Sequence, residues 1–239
     1  MVAKRNKKTE RKRALEAIED KGALLVFPLN NKPLPESLWS VLYPRTKMRW
    51  EWDQEGDQRV SDLWILREEL SRSEEVVYAK WYQNRATFFS KEVFVNLLAF
   101  LQSHSRQQGL PLSSREALDS FLLDSPQSTK IIKENLSWQG KLMESHFNRA
   151  MKPLWNGLYL VGFGEVQDSS FPSLNMAASA TLFEQLWMKA QKIAPESAEK
   201  FLVKKLGEEN LFLKHARKLE KQMATWEVAT DYEFEADEN

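Results

Sequence analysis

From Ser114 the chain runs helix, helix, helix and then a strand pair, strand, turn, strand, an order that restricts the possible folds more than any other stretch. Arg115 to Leu123 has helical spacing and is stopped by Asp124-Ser-Pro126, because the residue before a proline is pushed out of the helical region. Ser128 is placed to cap a second helix, Thr129 to Asn135. A third, Gln139 to Leu154, carries Leu142, Phe147, Ala150, Met151 and Leu154 at helical period. Asn156-Gly157 then turns the chain into Leu158 to Val166, rich in β-formers. Winged helix-turn-helix modules have this layout, as do helical bundles carrying a hairpin.

The N-terminal half has related elements. Arg13 to Lys21 reads as a helix ended by Gly22, and Ala23 to Phe27 as a short buried strand. Pro28, Pro33 and Pro35 interrupt the regularity before Glu36 to Leu42, a helical turn or two. A helix over Ser61 to Ser71 precedes a hairpin, Val76 to Tyr82 and Ala86 to Phe89, around the polar break Gln83-Asn84-Arg85. Ser90 caps an amphipathic helix marked by Val93, Phe94, Leu97, Leu98 and Leu101. Residues 103–114, polar with Gly109 and Pro111, read as a linker. Beyond Ser173 three further helices are expected, Thr181 to Ile193, Glu196 to Leu206 and Glu208 to Ala224.

The expected fold class is therefore α+β, two winged-helix-like units with a C-terminal helical segment. The boundaries are a flexible basic arm at 1–13, a first unit at 14–104, a second at 114–175, helices at 176–225 and an acidic tail at 226–239. Thirteen Phe and nine Trp supply a substantial core, since each such side chain buries roughly 150–250 Å².

Composition excludes several chemistries. With no Cys there is no disulfide, thiolate metal site, iron–sulfur cluster or cysteine nucleophile. His104, His146 and His215 lie about 40 and about 70 residues apart, without metal-ligand spacing, so neither metal nor cofactor is expected. No apolar run is longer than Ala23 to Phe27, far below the roughly 18 residues of a membrane helix. A cytoplasmic protein without membrane partners is expected. No phosphate-binding loop, dinucleotide fingerprint or nucleophile elbow occurs.

Net charge is zero but polarised along the chain. Lys4, Arg5, Lys7, Lys8, Arg11, Lys12 and Arg13 face Glu10 alone, whereas everything ionised after Lys221 is acidic. The basic arm suits either phosphate neutralisation or a solvated tail that pairs with the acidic end. Over 126–153 there is a surplus of three positive charges. The third helix of the second unit offers Lys141, His146, Asn148, Arg149 and Lys152, and the preceding helix Lys130 and Lys133. These, with Arg85 at the hairpin turn, are the candidate DNA contacts. Lys80 is a weaker candidate there because it sits within a strand. Trp50 and Trp52 alternate with charged residues and suit either base stacking or the core. Glu51 and Asp53, in that aromatic setting, are candidate catalytic carboxylates or simply solvated acids.

Several segments resemble a known family. These are Leu15 to Leu42 with its Leu-Val-Phe-Pro and Ser-Leu-Trp, the Trp50-Glu-Trp52 pair, Leu63-Trp64, Tyr78 to Ser90, Phe147-Asn-Arg-Ala150 and the Leu158 to Val166 segment. Together they are similar to small AlkZ-related proteins of the winged-helix DNA-binding superfamily, over about residues 14–190. The resemblance implies tandem winged helices, a DNA partner and a link to DNA repair. AlkZ-type glycosylases remove alkylated bases and unhook interstrand crosslinks with a Gln-x-Asp or Gln-x-Gln pair after the first helix. Here the matching stretch reads Leu25-Val-Phe-Pro-Leu-Asn30, without glutamine or aspartate. An apolar side chain cannot polarise water, so DNA binding without that catalysis is expected. The alternatives are a glycosylase that uses Asp53 or Glu51, and a protein-interaction module.

Overall fold

A computed structural model describes residues 7–49, 57–102, 109–168 and 172–224. Among them the same sequence of elements occurs twice. The first pass is α1 (Lys7–Lys21), β1 (Ala23–Leu25), α2 (Leu38–Leu42), α3 (Gln58–Arg72), β2 (Val77–Tyr82) and β3 (Arg85–Phe89). After α4 (Lys91–Leu101) the second is α5 (Leu112–Leu123), β4 (Gln127–Ser128), α6 (Thr129–Asn135), α7 (Glu144–Asn156), β5 (Leu160–Val166) and β6 (Ser173–Ala178). The chain continues as α8 (Ser179–Leu182), α9 (Glu184–Ala190), α10 (Pro195–Leu206) and α11 (Leu211–Ala224). This is an α+β fold.

Each pass builds an antiparallel three-stranded sheet in which the last strand lies between the other two, β1-β3-β2 and β4-β6-β5. Register places Ala23 opposite Phe89, Tyr78 opposite Phe88, Gln127 opposite Met176 and Leu160 opposite Ala178. Alternation along β2 sends Val77, Ala79 and Trp81 to the larger core and Tyr78 to the smaller. The larger core is continuous from the first sheet through α4, α5 and α7 to α10 and α11; the smaller lies under α1, α2 and α3.

Local chemistry sets the element ends. Ser90 Oγ accepts from the Val93 N–H at 3.3 Å to cap α4, and Ser128 Oγ does the same for Ile131, opening α6. Gly22 ends α1 at φ +77°, and its N–H donates to the Ile18 carbonyl at 2.8 Å. A side chain there would also press to 2.6 Å of the Val93 methyl, so glycine is required twice over.

Several expectations are corrected. α1 starts at Lys7, so residues 7–13 of the basic arm are helical, with Arg11 paired to Glu69 at 2.7 Å and also to Glu75. α4 is not amphipathic: Val93 through Leu101 are all buried, because α9, α10 and α11 cover the face that would otherwise meet solvent. The second sheet has a strand at Ser173–Ala178, across the expected boundary at 175, where the polar–apolar alternation lasts only four residues and no β-branched or aromatic side chain marks a strand. The two-residue β4 is too short for any periodicity to reveal. Among the described residues no helix is long and apolar enough to cross a membrane.

Candidate nucleic-acid interface

The third helix of each pass meets a different fate. α3 packs against β5 of the second sheet, where Arg67, 4% exposed, pairs with Glu165 and donates to the Tyr78 hydroxyl at 3.3 Å. The Gly164 N–H donates to Ser71 Oγ at 3.0 Å, and Arg72 reaches the Glu165 carbonyl. Burial and the hydroxyl–guanidinium contact act in opposite directions on Tyr78, and burial prevails, so its pKa is raised. This stretch of α3 is occupied within the protein.

α7 is different. Phe147, Ala150, Met151, Leu154 and Trp155 form its buried stripe at helical spacing, while Ser145, Asn148, Arg149 and Lys152 are exposed. Its position is fixed at its middle and at its C-terminal end. Ser114 Oγ donates to the Ala150 carbonyl at 2.8 Å, and Trp81 Nε1 donates to the Asn156 carbonyl at 3.0 Å.

Between α7, α11 and the β2–β3 turn lies a cleft of about 710 Å³. Its apolar lining is Phe147, Met151, Trp155, Met176 and Leu219. Lys80 of β2, Lys152 of α7, and Lys218 and His215 of α11 provide its basic groups, and Gln83, Asn84 and Asn148 add amides. No carboxylate among the described residues lines it. Lys80, Lys152 and Lys218 form no ion pair among the described residues, whereas neighbouring Lys214 and Arg217 are tied to Glu209, Glu199 and Glu208. Three lysines outside any ion pair among the described residues, beside an aromatic wall, form a pocket suited to an anion attached to a flat or apolar group.

Two basic groups are electrostatically perturbed. Burial, reinforced by the nearby Arg67 guanidinium and opposed by Glu165, holds the Lys80 ammonium below the usual lysine range. Burial likewise lowers His215, opposed by its contact with the Trp81 carbonyl 3.3 Å from Nε2. A carbonyl only accepts, so Nε2 carries the proton in that contact. The imidazole stands edge-on to Trp81 and tilted to Tyr82.

The residues expected from sequence divide accordingly. Asn148 and Lys152 line the cleft. Arg149 is exposed on α7, and Lys141 is exposed on the single 3₁₀ turn, Lys141–Met143, that precedes it. Arg85 is exposed beside the turn whose Gln83 and Asn84 reach the cleft. Lys130 is exposed on α6, where its charge helps, after hydrogen bonds from Ser128 and Ser173, to lower the Asp168 pKa. Lys133 is committed elsewhere, 2.6 Å from Glu144 and over the Phe147 ring. His146 stands edge-on to Trp138 with centroids 4.6 Å apart and does not line the cleft. Trp50, Glu51, Trp52 and Asp53 lie outside the described residues. Sequence reasoning missed the α11 wall, although Lys214, Lys218 and Lys221 recur at three- and four-residue intervals.

A model described as AlkZ related matches residues 9–224 of the chain. No curated protein and no solved structure matches it.

Proposed function

The chain belongs to the AlkZ-related family, and from that premise we propose that it is a winged-helix DNA-binding protein linked to DNA repair, acting without the family's Gln-x-Asp catalysis. In this reading both passes of helix, strand, helix, helix, strand, strand are winged helices, at 14–104 and 114–175, and α7 is the helix that faces DNA. α3 is disfavoured for that role because the Arg67–Glu165 contact holds it against β5. The single observation that carries the proposal is the cleft beside α7, with three unpaired lysines and no acid among its described lining residues. Lys141, Arg149 and Lys152 hold phosphates, Lys218 extends the track across the cleft, and Asn148 is nearest to base edges. Leu25 to Asn30 holds no glutamine or aspartate to position water, which supports binding without base removal.

The test is binding to a labelled duplex across a salt series, with product analysis on the same samples. Each lost phosphate contact lowers the slope of log affinity against log salt by about 0.9. Replacing Lys152 and Lys218 together by Ala should therefore lower the slope by roughly 2 and weaken binding at low salt. An unchanged slope removes the cleft from the interface. Release of base from alkylated duplex would refute the non-catalytic reading.

A further inference from the structure

Lys80 occupies a position unlike that of the other lysines. It sits in the interior of β2, opposite Ala86, with the buried Ala79 and Trp81 fixing the backbone on either side. Its side chain is half-buried, lines the cleft, and has no carboxylate within ion-pair distance among the described residues. The charged and titratable groups around it come from four elements besides its own. Arg67 of α3 and Glu165 of β5 act on it electrostatically in opposite directions, their charges paired with each other. Lys152 of α7, and His215 and Lys218 of α11, stand along the same cleft. A lysine becomes a nucleophile when its amine is kept neutral, and desolvation together with neighbouring cations is how proteins do this. Burial and the Arg67 charge both act in that direction here.

The cleft also selects the electrophile. Its lysines suit a phosphodiester strand, and its apolar wall of Met151, Trp155 and Met176 suits the space left where a nucleotide lacks its base. A nucleotide of that kind carries, in its ring-opened form, an aldehyde at C1′. We propose that Lys80 captures abasic sites in DNA by condensing with this aldehyde, a reaction that rests on the DNA-binding reading of the cleft.

The step balances without an added oxidant or reductant. The neutral Nζ adds its lone pair to C1′, and a proton moves from nitrogen to the former carbonyl oxygen to give a carbinolamine. Loss of that hydroxyl with the second nitrogen-bound proton expels one water and leaves a C1′=Nζ imine. Lys152 and Lys218 serve as positioning residues that hold the flanking phosphates.

The experiment incubates the full chain with a duplex containing one abasic site and with the same duplex intact, adding sodium borohydride to reduce any imine to a stable secondary amine. The expected result is a covalent protein–DNA adduct with the abasic duplex alone, mapped by peptide mass spectrometry to Lys80. K80R keeps a basic side chain on the strand but has no primary amine to condense, and should lower adduct yield at least tenfold. An adduct that persists in K80R, or that maps to another amine, overturns the proposal. Binding of intact duplex without any adduct also overturns it and leaves the DNA-binding reading standing. Failure to bind either duplex overturns both. Peptide mapping on the unaltered chain decides the matter even if K80R folds poorly.

Discussion

The contact between α3 and β5 gives the sharpest test of how the two halves are held together. In Glu165→Ala the Arg67 guanidinium stays buried, since its side chain is only 5% exposed. It keeps one hydrogen bond, 3.3 Å to the Tyr78 hydroxyl, and the Trp64 ring 4.3 Å away. Its Nε already lacks a partner. The variant therefore leaves a buried cation with no anion, and breaking such a pair from one side costs about 3–5 kcal/mol. The two flanking backbone contacts, Arg72 to the Glu165 carbonyl and Gly164 to Ser71, do not involve the deleted carboxylate, so the loss reports the ion pair together with the long 3.4 Å hydrogen bond that Trp64 Nε1 donates to Glu165 Oε2. For a chain of this size, about 2–4 °C per kcal/mol converts the loss into a fall in Tm of roughly 6–20 °C. Urea denaturation at neutral pH, with the slope checked for constancy, measures it directly. The double variant Arg67→Met, Glu165→Leu removes both charges and fills the space with apolar atoms, and should recover most of the loss. The resulting coupling should be about 2 kcal/mol or more. A Glu165→Ala loss under about 1 kcal/mol, or a double variant as damaged as the sum of its singles, would refute the reasoning that burial makes this pair interdependent.

Two further predictions follow from the same region and the cleft. Gly162 of β5 lies so close to the Tyr78 ring that an added Cβ would stand 2.4 Å from Cδ1, with Leu174 3.1 Å away on another side. Gly162→Ala should thus cost about 1–3 kcal/mol by overpacking, measured by thermal denaturation. His215 has its folded-state pKa held below the unfolded value of 6.5, chiefly by burial, so the unfolded chain binds the extra proton first. Its contribution is intact above that pH and is lost as pH falls through the folded pKa. Unfolding curves from roughly pH 7.5 down to 5 should show a decline in the unaltered chain that is shallower in His215→Gln. Equal slopes would mean that the imidazole titrates alike in both states.

Much of the fold was legible because its signals are local. Gly22, Ser90 and Ser128 mark element ends through their own backbone and hydroxyl chemistry, and the apolar stripes of α7 and α11 repeat at helical period. The Tyr78 to Phe89 hairpin shows in its β-branched and aromatic residues. β4 and β6 were hidden, since a two-residue strand has no period and Ser173-Leu-Asn-Met-Ala-Ala178 alternates over only four residues and holds no β-branched or aromatic side chain. They exist because β5 and the end of α5 offer them hydrogen bonds, a gain that depends on partners distant in sequence. The burial of α4 on every side was hidden for the same reason, as it depends on helices about 100 residues downstream.

For the candidate site, the sequence by itself determined the inventory: no thiol, no metal-ligand spacing, a cationic α7 and a stretch after α1 without glutamine or aspartate. Tertiary structure decided which charges are available. Lys133 and Arg217 differ little from Lys152 and Lys218 as letters, yet packing gives the first two a carboxylate and leaves the other two without one. Lys80, half-buried in a strand, joins the cleft only because α7 and α11 come to stand beside β2. Charge is written into each residue, whereas its compensation and desolvation depend on what the fold brings within a few ångströms.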